Sequence, residues 1–128
     1  MKPISTDNAP AAVGPYSQAM RHSDLLFVSG QLPIDPATGS FNSEEPVEQM
    51  QQCLKNIAAI AKAAGADLSH TIKTTILLTE MSGFAAINDA YGAFFSAPYP
   101  ARVTFEVSAL PRGAKVEVEA VIAIPSEA

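Results

Sequence analysis

The sequence contains few of the residues that build common metal, disulfide and nucleic-acid sites. Its single cysteine, Cys53, excludes an internal disulfide and a cysteine-based zinc site. The two histidines, His22 and His70, are not spaced as metal ligands, so we expect no bound metal. Three arginines and a net charge of −5 argue against a surface that binds nucleic-acid phosphates.

Long apolar runs are missing as well. No run of roughly 18 apolar residues is present, so we expect no membrane-spanning segment. The N-terminal residues lack the apolar stretch of a secretory signal. With one cysteine and no such signal, a reduced, cytoplasmic protein is the simplest expectation.

The composition is otherwise that of a small globular protein. A chain of 128 residues predicts one domain, 1–128. Hydrophobic residues make up 48% of the chain and charged residues only 16%, where about a quarter is usual. The low charge indicates that part of the surface is covered, for example by a second copy of the chain.

The apolar periodicity predicts the element order β-β-α-β-α-β-β. We expect strands over 19–21, 25–29, 71–79, 102–107 and 115–124, and helices over 43–64 and 82–95. Prolines and turn residues predict irregular structure over 1–15 and 30–42. Two helices packed on one face of a mixed sheet would give an α+β fold.

Three residues bear on where the helices begin and end. Ser43 is expected to cap the first helix, because a hydroxyl there accepts from a free amide of the first turn. Gly65 is expected to end that helix. Gly92 is expected to weaken the second helix without ending it.

The last two strands carry the residues best suited to chemistry. If these strands pair, directly or through neighbours, Arg102 and Glu117 would lie near each other on the sheet. An arginine matches a carboxylate ligand, and a glutamate accepts or delivers a proton. A structural salt bridge or a solvated strand face explains the same pattern, and spacing alone does not choose between these interpretations.

Six segments of the sequence form an ordered set: residues 14–19, 28–31, 36–39, 56–65, 100–102 and 116–120. In this order and at these intervals, they resemble the Rid family of reactive intermediate imine/enamine deaminases. The similarity runs from about residue 10 to residue 124. It implies a chorismate-mutase-like fold of the bacillary type. It also implies a homotrimer, in which three sheets form a central barrel with clefts between the subunits.

The resemblance also assigns roles to particular residues. It implies that Arg102 binds a substrate carboxylate and that Glu117 positions and activates water. The residues implied to line the cleft are Tyr16, Ser29, Gly30 and Asn88. Thr104 stands where the best-studied branch has a cysteine. The resemblance implies that backbone groups at this position bind substrate and water, so Thr104 is expected to be able to serve there, with an effect on substrate preference left open. No metal and no organic cofactor are implied.

The function implied is that of a 2-iminobutanoate/2-iminopropanoate deaminase, a hydrolase that converts 2-imino or enamine acids to 2-ketoacids and ammonia. Two alternatives stay open at this point. One is a non-catalytic module that binds or senses 2-ketoacids through the same arginine. The other is an endoribonuclease, against which the charge of −5 weighs.

Overall fold

The computed structural model describes residues 1–126. In chain order the elements are β1 (Lys2–Ile4), β2 (Ala19–His22), β3 (Leu25–Gln31), β4 (Ile34–Asp35), β5 (Ser40–Phe41), α1 (Pro46–Ala63), β6 (Thr71–Leu78), α2 (Phe84–Gly92), β7 (Ala101–Glu106) and β8 (Val116–Ala123). The expected helices and the five expected strands are therefore present.

Six of the strands form one mixed sheet in the order β1-β2-β3-β8-β6-β7. Neighbouring strands are antiparallel except β6 and β7, which are parallel and are connected through α2. The two remaining strands, β4 and β5, form a small separate hairpin. Two helices and a mixed sheet confirm the α+β class.

The core lies between α1 and one face of the sheet. Every second residue of β8 is buried there, because side chains alternate across a strand; these residues are Val116, Val118, Ala120 and Ile122. They pack against an apolar stripe of α1 that includes Leu54, Ile57 and Ile60, all fully buried. Within residues 1–126, neither helix is long and apolar enough to cross a membrane.

Three buried amide side chains of α1 form hydrogen bonds that hold two nearby backbone segments of the same chain in place. Asn56 is 1% exposed and donates from Nδ2 to the carbonyl oxygens of Leu32 and Ile34, both at 3.0 Å. Its Oδ1 accepts from Gln52 at 2.9 Å. Gln49 accepts from the Lys115 amide at 2.9 Å. These bonds fix the loop after β3 and the residue just before β8.

The opposite face of the sheet has no helix on it among residues 1–126. Phe27, Val103 and Phe105 lie on this face and are 47%, 37% and 53% exposed. We call it the open face. Large apolar side chains grouped on a surface usually mark a site of contact with another molecule.

Two segments expected to be irregular contain short strands. Residues 2–4 pair with β2 at the edge of the sheet, where Pro3 is tolerated because an edge strand needs fewer amide donors. Within 30–42 the expected turn is present, with Gly39 at φ 75°, but it joins the two strands of the small hairpin. Strands of two or three residues are too short to produce a period in the sequence.

Both helices are shorter than expected. The Ser43 hydroxyl accepts from the Glu45 amide at 3.0 Å, so it caps the turn that precedes α1, and the helix itself begins at Pro46. Gly65, with φ 82°, follows the end of α1 as expected. The expectation that α2 continues past Gly92 was wrong. The helix ends there because glycine disfavours helix, and the chain continues in tighter turns, with Phe95 N–H bonding the Gly92 carbonyl at 3.2 Å.

Candidate functional site

Glu117 is held against the backbone of β3 at Gly30. The β3–β8 pairing shifts register between Val28 and Gln31, a β-bulge that brings the Gly30 backbone close to the Glu117 side chain. A Cβ added to Gly30 would lie 2.5 Å from Glu117 Oε2. The carboxyl group therefore occupies the space that any side chain at this position would need.

Partial burial changes the acidity of Glu117. The pKa of Glu117 is raised above its ordinary value of about 4.5, first because burial penalises the charged carboxylate and second because Glu119 lies nearby. The protonated form is therefore favoured more than in water. A raised carboxyl pKa brings the group closer to neutral pH, where it exchanges protons more readily with a reacting molecule.

Glu117 lines a groove of about 710 Å³, which we call the glutamate groove. Tyr16, Ser29, Gly30 and Arg112 also line it. Tyr16 is 53% exposed, so its ring is available at the surface. The Ser29 hydroxyl is occupied, because it donates to the Ser17 carbonyl at 2.6 Å.

One wall of the glutamate groove is built by Gln18, which is 5% exposed. Its Nε2 donates to the carbonyl oxygens of Ala9 and Pro10 at 3.3 and 2.7 Å. Its Oε1 accepts from the Thr6 amide at 2.7 Å. The buried amide thereby fixes a segment rich in proline and alanine that has few bonds of its own.

Arg102 lines a second groove, of about 610 Å³, together with Asn88, Tyr91 and Tyr99. We call this the arginine groove. Arg102 Nη1 donates to Asn88 Oδ1 at 2.6 Å. Its guanidinium carbon lies 5.1 Å from the centroid of the Tyr91 ring and 5.6 Å from that of the Phe84 ring. A guanidinium offers five N–H donors, and within residues 1–126 the hydrogen bond to Asn88 uses one of those of Arg102.

The two grooves lie on opposite faces of the sheet. In the register of β6, Arg102 pairs with Thr74, whereas Glu117 pairs with Leu77. Paired residues share a face and successive residues alternate, so positions three apart in β6 face opposite ways. The expectation that Arg102 and Glu117 lie near each other on the sheet was wrong for one chain. It failed because β6 lies between β7 and β8. The registers of these two pairings place Arg102 on one face of the sheet and Glu117 on the other.

The site residues expected from the sequence thus fall into two groups. Tyr16, Ser29, Gly30 and Glu117 line the glutamate groove, and Asn88 and Arg102 line the arginine groove. Thr104 lies two residues along β7 from Arg102, on the same face, and is partly exposed.

Sequence reasoning missed the aromatic contacts of Arg102 and the position of Arg112. Phe84, Asn88 and Tyr91 are spaced four and three residues apart, which puts them on one face of α2. That spacing is visible in the sequence, but aromatic residues on one face of a helix are equally typical of a core, so the spacing alone does not indicate a contact with Arg102. Arg112 donates to the Gly39 carbonyl at 3.2 Å, a contact across 73 residues that no local pattern reveals.

No group of three or more metal-ligating side chains occurs in the part of the chain that the structure describes. The groups available for chemistry are instead a carboxyl group with a raised pKa in the glutamate groove and a guanidinium in the arginine groove.

Comparisons with known proteins match nearly the whole chain. The family model described as Endoribonuclease L-PSP matches residues 6–124. A RutC family protein of Sinorhizobium fredii, y4sK, is 68% identical over 97% of this chain and 98% of its own length. The 2-iminobutanoate/2-iminopropanoate deaminase of Mus musculus is 46% identical, over 94% of this chain and 89% of its own. The crystal structure of RidA from a Psychrobacter species has a TM-score of 0.93 at 44% identity, over 97% of this chain and 100% of that one.

Proposed function

The chain belongs to the Rid family, whose model bears the description Endoribonuclease L-PSP, and from that membership we propose that it is a 2-iminobutanoate/2-iminopropanoate deaminase. It would hydrolyse 2-imino or enamine acids to 2-ketoacids and ammonia. Relatives with that name, such as the mouse protein at 46% identity, support the assignment. We propose further that residues 1–128 form a single domain of this family.

The observation that carries the proposal is the position and acidity of Glu117. Its carboxyl group lies in an open groove, against the backbone of Gly30. Burial raises its pKa, which is the direction a general base needs to work near neutral pH.

Arg102 supplies the binding half of the proposal. Its guanidinium is oriented by Asn88 and keeps free N–H donors for a planar carboxylate, which arginine binds through two parallel hydrogen bonds. Tyr16, Ser29, Gly30 and Asn88 would line the cleft, and Thr104 would contribute through its backbone groups.

The reaction proceeds in two steps. Glu117 takes a proton from a water molecule as the water oxygen bonds to the carbon of the protonated imine, C=NH₂⁺, giving a neutral carbinolamine with a new C–O bond. Glu117 then returns that proton to the nitrogen. The C–N bond breaks, ammonia leaves, and the hydroxyl group becomes the ketone with loss of its proton to solvent. Such general base catalysis contributes about 10²–10⁴-fold.

A site that uses both residues needs two copies of the chain. Arg102 and Glu117 face opposite sides of one sheet, so the Arg102 of one subunit would meet the Glu117 of the next. The apolar open face gives the copies a surface to bury. We propose the trimeric barrel of the chorismate-mutase-like fold, with one small-molecule site at each subunit interface.

Two substitutions separate binding from chemistry. Arg102→Ala removes the partner of the substrate carboxylate, so it should abolish both pyruvate binding by calorimetry and ammonia release from enamines generated in the assay. Glu117→Gln is nearly isosteric but accepts no proton. It should bind pyruvate as the wild type does and deaminate about 10²–10⁴-fold more slowly. Wild-type turnover by Glu117→Gln would refute its role as base.

Mixing the two inactive variants tests the shared site. If subunits of Arg102→Ala and Glu117→Gln are unfolded together in equal amounts and refolded, about a quarter of the interface sites combine an intact arginine with an intact glutamate. Activity should recover to about a quarter of the wild-type value. Each variant refolded alone is the matched control. A mixture as inactive as its components would place both residues in one chain's site and refute the arrangement.

The alternatives predict different results in the same assays. A 2-ketoacid-binding module would bind pyruvate through Arg102 while ammonia release stays at the buffer rate. An endoribonuclease would cleave RNA, and its activity would survive Arg102→Ala only if the phosphates were bound elsewhere. The charge of −5 disfavours that second alternative, because nucleic-acid affinity depends on cationic contacts.

A further inference from the structure

Three side chains of α2 flank the exposed guanidinium of Arg102. The Tyr91 and Phe84 rings lie 5.1 and 5.6 Å from its central carbon, within the range of cation–π contact. Asn88 Oδ1 accepts from Nη1 at 2.6 Å. An exposed arginine on an edge strand otherwise loses considerable side-chain entropy when it is fixed in one rotamer. Here these contacts restrict it before any ligand arrives.

Tyr91 is itself anchored to the strand beside Arg102. It is 4% exposed, and its hydroxyl shares a 2.7 Å hydrogen bond with Thr74 Oγ1. Thr74 is 1% exposed and is the β6 partner of Arg102 in the parallel pairing. The same β6 residue therefore fixes both the backbone of Arg102 and the ring beneath its guanidinium. Burial raises the pKa of Tyr91, so the phenol keeps its proton and the hydrogen bond.

We propose that Tyr91, anchored by Thr74 and assisted by Phe84, is a positioning residue that prepares Arg102 for a planar carboxylate. The rings cover the guanidinium and Asn88 takes one of its donors, so the remaining N–H groups are presented together to the ligand. The inference rests on the proposed function, in which Arg102 binds a 2-keto or 2-imino acid. It adds that affinity for this class depends on residues that do not touch the ligand.

The first test is the affinity for pyruvate. Tyr91→Leu removes the ring and should weaken pyruvate binding by about five- to tenfold, or about 1 kcal/mol. Tyr91→Phe keeps the ring but loses the hydrogen bond to Thr74, so it should weaken binding by up to about threefold, less than Tyr91→Leu does. For deamination, KM should rise with kcat nearly unchanged, because Arg102 holds the carboxylate equally in the ground and transition states. Phe94→Leu, on the same segment with no Arg102 contact, is the matched control.

The second test does not depend on activity. Arg21, Arg102 and Arg112 are the arginines of the sequence, so their side-chain Nε–Hε signals in a ¹H–¹⁵N spectrum are readily assigned. The Tyr91 ring should displace the Arg102 signal upfield, and Tyr91→Leu should remove much of that displacement. Arg112, which lies 5.7 Å from the Phe41 ring, should not move and is the internal reference.

The outcomes separate this proposal from the proposed function. An unchanged Arg102 signal in Tyr91→Leu, or wild-type pyruvate affinity in that variant, overturns the positioning role. If Tyr91→Leu does not fold, Phe84→Leu applies the same two measurements to the second, partly buried ring. Absence of deamination in the wild type would refute the proposed function alone, since the Arg102 signal would still report the ring contact.

Discussion

Gly30→Ala is the smallest change that should uncouple folding from chemistry. A methyl group there would lie 2.5, 3.0 and 3.3 Å from Oε2, Cδ and Cγ of Glu117. Ordinary contacts begin near 3.4 Å, so the carboxyl group must move by about 1 Å. Gly30 has no positive φ, so an alanine adds no backbone strain at this position.

The size of the effect follows from what has to move. The displaced group is the end of a flexible side chain, and an off-rotamer position costs about 1 kcal/mol, so the free energy of unfolding should fall by no more than that. A misplacement of about 1 Å at a reacting group costs about 10²-fold in rate, or about 2.7 kcal/mol of barrier. Gly30→Ala should therefore melt close to the wild type and deaminate about a hundredfold more slowly.

A double-mutant cycle makes the reasoning refutable. Glu117→Asp shortens the side chain by one methylene and removes the closest contact, the 2.5 Å approach to Oε2, so adding Gly30→Ala to that variant should lower kcat by much less than the hundredfold loss expected in the wild-type background. Ammonia release and urea unfolding are measured for all four proteins. An equal rate loss from Gly30→Ala in both backgrounds would mean that the methyl group does not act through Glu117.

Three further predictions rest on other contacts. Glu119→Gln removes a negative charge that raises the pKa of Glu117. The acid limb of the pH profile of kcat/KM should therefore move to lower pH. A limb that does not move would contradict Glu117 as the titrating base. Asn56→Leu leaves two carbonyls without their donor and should lower the free energy of unfolding in urea by about 2–4 kcal/mol, whereas exposed Lys55→Ala should stay within about 0.5 kcal/mol. Thr104→Cys should leave deamination within about tenfold, since only backbone groups are invoked; a larger change would implicate the side chain.

The raised pKa of Glu117 also makes the stability of the protein depend on pH. A carboxyl whose pKa is raised on folding holds its proton more tightly in the native state, so native Glu117 binds more protons than unfolded Glu117 above about pH 4.5. The stability that this extra proton binding contributes is therefore lost as the pH rises from the pKa of unfolded Glu117 through the raised pKa of native Glu117. Glu117→Gln should gain stability relative to the wild type over that window, measured by urea unfolding at several pH values.

The fold was predictable from the sequence where a pattern extends over many residues. The stripe of α1 and the alternation of β8 each involve at least four buried positions, and both elements were placed within a few residues of their observed bounds. The hairpin of β4 and β5 was missed because two-residue strands have no period. The strand order was not predictable, since β8 could pair with β7 or with β3 without any change in its own pattern.

The candidate site residues could be named from the sequence, but their arrangement could not. Arg102 and Glu117 stood out because a charged residue on an alternating strand is a chemical signal. Their separation onto two faces depends on the position of β6 between β7 and β8. This strand order belongs to the tertiary structure and leaves no pattern in the local sequence. The ring contacts of Arg102 were hidden for the same reason, since an aromatic stripe on a helix is equally typical of a core.

The central position of β8 also bears on how the protein folds during synthesis. β8 lies between β3 and β6, so Glu117 meets Gly30 only when a segment more than 80 residues further along the chain enters the sheet. Until the ribosome has released that segment, the inner edges of β3 and β6 have no partner. Contacts of such large sequence separation form slowly, and unpaired edges attract other strands. Nascent chains paused before Val116 should therefore be the form most prone to aggregate and to recruit chaperones.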